Sequence, residues 1–483
     1  MAEMTPMMQQ YLKTKEQYKD CILFYRLGDF YEMFFDDALT ASKVLEITLT
    51  GKDCGMKERA PMCGVPFHSV EGYIARLVKN GYKVAICEQV EDPKAAKGIV
   101  KRDVIRVITP GTANIDSVLT NADNNFLSCV YIDDDGCGMS FADVSTGELI
   151  TTQIDGDVYE TAVMSTLACF QPAEIAISPG GARYSKMFEE LNKRFHFYSE
   201  YLQSEYFEPE ICKKAVCEKF GWQSLSDTPL DGKELALRSL GAILEYLKET
   251  QKTNLSHMSS VKYYKTNEYM DIDVSSRRNL ELTETMRDKA KKGSLFGILD
   301  KTKTAMGTRR MKAWIDRPLV NSKLINMRLD SVAELTEKYE LRAAFADALK
   351  GINDIERIIS KVVYGTCNAR DLVSLRTSID ALPQIASALS QCESQLLSSL
   401  SGDFDTLRDL CTLLHDAVND EPPLTVREGG MIKDGFDKEL DRLRDIAGHG
   451  AEKIAEVEAR EKEATQIKNM KVSYNKVFGY YIE

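Results

Sequence analysis

The hydrophobic pattern changes kind near residue 256, and that change bounds the fold more tightly than any single motif. Before it, short apolar and β-branched runs alternate with stretches whose apolar positions recur at helical spacing. Ile22-Leu23-Phe24-Tyr25-Arg26, Tyr82 to Val90 and Val104 to Ile108 read as strands, and Val70 to Lys79 presents a helical face at 70, 73, 74, 77 and 78. After it the spacing is helical almost throughout, as in Met306 to Ile315, 328–350 and 370–382. Asn279 to Lys292 is predicted as a charged amphipathic helix stopped by Gly293. At 483 residues the chain exceeds one compact core, so three or four domains are expected. The fold class is multidomain α/β followed by α.

The N-terminal unit, 1–115, is a small α/β domain closed by the turn Thr109-Pro110-Gly111-Thr112. Within it, Gly28-Asp29-Phe30-Tyr31-Glu32 reads as a strand-to-helix corner. Asp29 fits an N-cap and Glu32 the third helical position, a capping box that would project Phe30 and Tyr31 outward. Periodicity leaves a second reading open, because Phe30 also extends the 34, 38, 41, 45 stripe and would then be core. A second α/β unit is expected over 116–255, with strands at 127–132 and 138–144 around the turn Asp133-Asp134-Asp135-Gly136. Residues 256–435 form a helical domain.

From 436 to 468 a 4-3 step runs through Phe436, Leu440, Leu443, Ala447, Gly450, Ile454, Val457, Glu461 and Ala464. This is a heptad seam weakened at Gly450 and Glu461, predicted as one helix roughly 45–50 Å long. Lys471 to Tyr474 and Val477 to Ile482 then read as strands, which makes 436–483 a long helix and the beginning of a β domain.

Composition closes several alternatives. Hydrophobic residues at 43% and charged residues at 28% exclude a disordered chain. No apolar run approaches the ~18 residues of a membrane span, and Met-Ala-Glu-Met-Thr-Pro lacks a signal-peptide pattern. A cytoplasmic protein with no membrane partner is expected. The twelve cysteines include no Cys-x-x-Cys pair, and the five histidines are far apart. Reduced thiols and no metal site are the expectation. Net charge is −12, yet residues 50–110 hold eleven Lys and Arg against seven Asp and Glu, a local excess of +4. A basic patch on an acidic body suits confined contact with a polyanion.

The stretch Phe24 to Ala38 resembles the mismatch-reading segment of the bacterial MutS family of DNA mismatch repair sensors. The resemblance continues in the family's order through Pro61-Met62-Cys63-Gly64-Val65-Pro66-Phe67-His68, Ala85 to Val90, Thr109 to Thr112 and Phe141 to Glu148. It extends through Gly293 to Phe296, Leu299 to Thr302 and Thr304 to Gly307, and ends with Asn475 to Ile482. It implies a mismatch-recognition domain, a ribonuclease-H-like connector, a helical core and lever, and the start of a β clamp. Phe30 would be an aromatic wedge at a mispair and Glu32 its partner. Further DNA-contacting candidates are Tyr31, Gly64, Val65, Pro66, Arg59, Arg76, Lys97, Lys101, Arg102, Arg106, Asn475 and Lys476.

The resemblance also implies mismatched or looped double-stranded DNA as partner, a homodimer in which one copy's Phe30 reaches the error, and a MutL-like repair partner. A nucleoid-associated protein in the cytoplasm is expected. ATP and Mg are cofactors of the family, but no Gly-x-x-x-x-Gly-Lys-Ser/Thr loop occurs in these 483 residues. No enzymatic activity is therefore expected of this chain, which reads as the N-terminal portion of a longer protein. Two rivals remain. One is a related interaction scaffold without mismatch sensing, for which loss of the Phe-x-Glu pair would be expected. The other is a ribonuclease-H-like nuclease using Asp133, Asp134 and Asp135 as metal ligands.

Overall fold

The computed structural model describes the whole chain apart from residues 1–3, 56–57, 92–97, 116–118, 121–122, 157–159, 468 and 476–478. It divides into two units, Met1–Cys367 with Ala381–Asp405, and Asn368–Asp380 with Thr406–Glu483.

The first unit begins with a six-stranded sheet built from β1 (Cys21–Leu27), β2 (Phe30–Phe34), β3 (Thr50–Lys52), β4 (Ala60–Pro66), β5 (Lys83–Gln89) and β6 (Arg102–Ile108). The strand order is β3-β4-β2-β1-β5-β6. Strand alternation sends Phe24, Tyr31, Met33 and Val65 to one face, where helices Phe35–Leu45 and Val70–Lys79 bury Ala38, Leu45 and Leu77 against them. Leu23, Tyr25 and Phe34 point the other way, under Met8 and Tyr11 of helix Pro6–Gln17.

The second sheet comprises β7 (Leu127–Ile132), β8 (Gly136–Asp143), β9 (Glu148–Asp155), β10 (Glu174–Ile177), β11 (Tyr198–Tyr201) and β12 (Lys262–Tyr263), ordered β11-β10-β7-β8-β9-β12. An antiparallel meander β7-β8-β9 is extended by β10 and β11, which run parallel to β7. Helix Glu234–Gln251 covers one face through Leu240, Ile243 and Leu247. Helices Glu160–Phe170 and Ser185–Phe195 cover the other, where Phe141 and Phe170 stack at 4.0 Å. Gly138 sets how closely helix Glu234–Gln251 approaches, since a Cβ there would lie 1.9 Å from the Leu235 carbonyl oxygen. Gly138→Ala is expected to cost about 1–3 kcal/mol, read as a lower melting temperature; an unchanged melting curve would show that the helix yields freely.

The two sheets are joined by buried polar contacts. Glu174 accepts hydrogen bonds from the Gly111 amide at 2.8 Å, the Tyr246 hydroxyl at 2.6 Å and the Thr109 hydroxyl. Lys83 pairs with Glu200 at 2.5 Å. Beyond the second sheet the unit is helical, including Ala305–Asp316, Ser322–Glu337, Tyr339–Leu349 and Ile355–Val363. Arg309 is buried there and held at both ends by Asp354, with Glu356 as a third contact at 2.7 Å. Among the described residues no helix is long and apolar enough to cross a membrane.

Three sequence expectations are corrected. The corner at residues 28–32 is a strand-turn-strand, with the helix delayed to Phe35. Gly28, at φ 59°, supplies the left-handed residue that a two-residue hairpin needs, so Asp29 is a turn residue and not a helix cap. Residues 279–292 do not continue as a helix. It ends at Asn279, and Glu281 and Lys289 adopt φ 47° and 48°, a conformation no helix contains. The loop closes on Ser294, whose hydroxyl donates to the Thr283 and Lys291 carbonyls.

In the second unit, the single rod predicted over 436–468 is two helices, Lys438–Gly448 and Gly450–Thr465, interrupted at His449. Glycines on both sides of that residue lower the cost of breaking the helix. Leu443, Ile446 and Val457 remain exposed. β13 (Val472–Asn475) and β14 (Gly479–Ile482) then pair antiparallel.

Candidate nucleic-acid interface

Register places the predicted site residues side by side. In the β2-β4 pairing Phe30 lies opposite Pro66 and Glu32 opposite Gly64. Phe30 and Glu32 are two apart on one strand and so share a face. The fold treats the same face differently along its length. Phe34 is covered by Tyr11, with ring centroids 4.9 Å apart, whereas Phe30 stands at the hairpin end and keeps 47% of its surface exposed. The core reading of Phe30 therefore falls. Around it, the Phe67 amide donates to the Asp29 carbonyl at 3.0 Å and Arg26 stacks on the Phe67 ring at 3.6 Å, which ties the hairpin to the end of β4.

Glu32 is not a bare carboxylate. Its Oε2 meets Lys52 Nζ at 2.5 Å, and among the described residues its Oε1 has no partner. Gly64 lies close beneath this strand, since a Cβ there would sit 3.3 Å from the Tyr31 carbonyl oxygen and in ordinary contact, 3.5 Å, with Glu32 Cγ. The sequence reading missed Lys52 because it lies twenty residues away and is brought close only when β3 joins the sheet. Its place in the basic stretch was the available signal.

Several candidates are corrected. Tyr31 points into the core, packs on Phe24 and donates its hydroxyl to Glu88. Burial, reinforced by that carboxylate, pushes its phenol above the usual tyrosine range. Val65 is likewise interior, so neither side chain is available to DNA. Arg102 is occupied by the Arg26 and Val100 carbonyls and by Gln10. Arg106 donates to Gln251 at 3.0 Å and the Thr112 carbonyl at 3.2 Å, and its guanidinium lies 4.2 Å from the Tyr364 ring centroid. Burial lowers its pKa. Both arginines are half-buried, with their guanidiniums already engaged within the protein.

Arg59, Arg76 and Lys101 are exposed, although Arg76 also donates to the Val44 carbonyl at 3.2 Å. Asn475 is exposed at the end of β13 in the second unit. Lys97 and Lys476 lie outside the described residues. The acids of the nuclease reading serve the β7-β8 turn. Asp133 accepts from the amides of Asp135 and Gly136, and Asp134 pairs with Arg183 at 2.6 Å.

Comparisons with known proteins match this arrangement end to end. Family profiles described as MutS domain I, MutS domain II and MutS domain III match residues 5–117, 125–259 and 275–475. The chain is 48% identical over 483 residues to a protein of Ruminiclostridium cellulolyticum called DNA mismatch repair protein MutS, covering all of this chain and 55% of that protein. Proteins of the same name from Acetivibrio thermocellus and Lachnoclostridium phytofermentans are also 48% identical across the whole chain, which covers 55% and 52% of them. The chain thus spans about half the length of the curated relatives it matches.

Proposed function

Since the chain belongs to the MutS family, we propose that its first α/β domain senses mispaired or unpaired bases in duplex DNA. The observation that carries this reading is the exposed Phe30 ring at a hairpin end, beside Glu32, Gly64 and Pro66. Inserted from the minor groove, the ring opens a base step and bends the duplex at a cost of a few kcal/mol, on the order of one unstacking. A mispair or unpaired base has already lost part of its pairing and stacking, so deforming it costs less. Discrimination rests on deformability and not on a base code, which lets one site accept several kinds of error.

Glu32 sharpens the contrast. With Lys52 bound to Oε2, the pair carries no net charge, and Oε1 is left to accept from an exposed base edge. On matched DNA no such edge is offered, and Oε1 is desolvated against the duplex without a donor. Glu32→Ala releases Lys52 as an unpaired cation, so matched duplex is expected to bind as tightly as before or tighter. Lys52→Ala should weaken both duplexes. Anisotropy titrations at fixed salt check this, and weaker matched binding by Glu32→Ala would contradict it. The broader reading is tested by comparing mismatched and matched duplexes with the complete protein. Equal affinities would favour the scaffold alternative.

The proposal includes the homodimer, the MutL-like partner and a nucleoid-associated cytoplasmic location. ATP and Mg would act in a protein of the relatives' full length. These 483 residues hold no phosphate-cradling loop of the Gly-x-x-x-x-Gly-Lys-Ser/Thr kind.

A further inference from the structure

Helix Arg408–Ala417 carries Cys411 and His415 four residues apart, which puts both side chains on one face, a turn from each other. Asp380, on helix Ala369–Leu389, faces them. Its Oδ1 lies 3.0 Å from Cys411 Sγ and 3.1 Å from His415 Nε2, and its Oδ2 is also 3.1 Å from Nε2. One ligand atom from each of the three residues falls within 4.8 Å of the others. All three belong to the second unit. A search for Cys-x-x-Cys pairs passes over this set, because one carboxylate comes from a helix thirty residues earlier.

The plain alternative is a carboxylate accepting hydrogen bonds from a thiol and an imidazole. Two further features favour a cation. A thiolate, an imidazole and a carboxylate form a mixed, borderline-soft donor set suited to Zn2+, whereas Mg2+ and Ca2+ take oxygen alone. Bonds of about 2.0–2.3 Å to a tetrahedral Zn2+ hold neighbouring ligand atoms roughly 3.3–3.8 Å apart, so Asp380 Oδ1 need only draw back slightly from Cys411 Sγ and His415 Nε2. In addition, Arg376 one turn before Asp380 is engaged by Asp420 at 2.9 Å and the Val418 carbonyl at 3.2 Å. Another carboxylate thus holds the neighbouring guanidinium. Asp380 and His415 are exposed, which gives an ion a path in and leaves room for water as fourth ligand.

We propose that Asp380, Cys411 and His415 form a Zn2+ site with three protein ligands and one solvent position. The ion displaces the thiol proton to solvent and staples helix Arg408–Ala417 to helix Ala369–Leu389, next to the buried Leu375, Ile379 and Leu414.

The test uses the full chain, stripped of metal with a chelator and titrated with Zn2+ by calorimetry and with Co2+ by absorption. One site per chain and a thiolate-to-Co2+ charge-transfer band are expected. Cys411→Ser and His415→Ala should each weaken Zn2+ binding by about 100-fold or more, since even losing a group that only orients a ligand costs roughly 10–100-fold. Cys217→Ser, at a partly exposed thiol elsewhere, should leave binding unchanged. Circular dichroism of the metal-free variants checks that they fold. No thiolate band, or Zn2+ binding of full strength in either ligand variant, overturns the proposal.

Discussion

Phe30→Ala is expected to abolish the preference of the complete protein for mismatched over matched duplex while leaving its fold intact. Stacking of an aromatic side chain on a base is worth about 1–3 kcal/mol, so the preference should fall by roughly 5- to 150-fold. Matched-duplex affinity should change little, because a stiff, fully stacked step admits the ring poorly. The fold should survive because the ring is half exposed and no described side chain closes over it, unlike Phe34 two residues on, which sits under Tyr11. Circular dichroism and a thermal melt check the fold; paired titrations at one salt concentration check the preference. Phe30→Tyr or Phe30→Leu should fall between, ranked by how much flat surface remains. If the preference persisted at full strength in Phe30→Ala, discrimination would have to reside elsewhere on the surface.

The second large effect is on stability, and it separates two meanings of one residue. As a phosphate contact, Arg106 replaced by Met would weaken binding to all sequences alike and lower the salt slope by about one. As the anchor between sheet and helix, the same change strands the Thr112 carbonyl, while Gln251 Oε1 loses its charged donor but keeps the Tyr364 hydroxyl at 3.1 Å. Leaving that carbonyl unsatisfied costs about 1–3 kcal/mol, partly offset by relief of a buried charge. The expected outcome is a lower melting temperature with an unchanged salt slope. Wedge and anchor are linked through β6, β5 and β1, since Arg106 joins the first sheet to helix Glu234–Gln251 and to Tyr364. Loosening this anchor is expected to blunt mismatch preference less than removing the ring does.

How much of this was legible before the structure depended on the range of the interaction. Helix Val70–Lys79 and strands β5 and β6 lie where their spacing put them, because each buries one face and the apolar period records it. The hairpin at Gly28-Asp29 was misread because Asp and Glu three residues apart imitate a capping box. The positive φ of Gly28, which decides between hairpin and helix, leaves no mark on periodicity. The rod over 436–468 failed at Gly448-His449-Gly450, where weak helix formers outweigh a heptad count. Residues 279–292 carried helix-forming side chains, but their backbone turns at Glu281 and Lys289.

The interface shows the same division. Phe30 and Glu32 stand out in the sequence because they are local and carry a family resemblance, and the fold adds the exposure of the one and the ion pair of the other. Lys52 was not, because it becomes a neighbour of Glu32 only across the assembled sheet. For Arg102 and Arg106, charge alone does not reveal that the guanidinium is engaged by neighbouring carbonyls and amides. Cys411, His415 and Asp380 were passed over for a related reason, the ligands being gathered from two helices.

The most direct measurement is a structure of the complete protein on a duplex carrying a single mispair. The account predicts the Phe30 ring in van der Waals contact with a base at the mispair, the duplex bent there, and Glu32 within hydrogen-bond distance of a base edge. A complex with a straight duplex, or with that ring remote from every nucleotide, would contradict it.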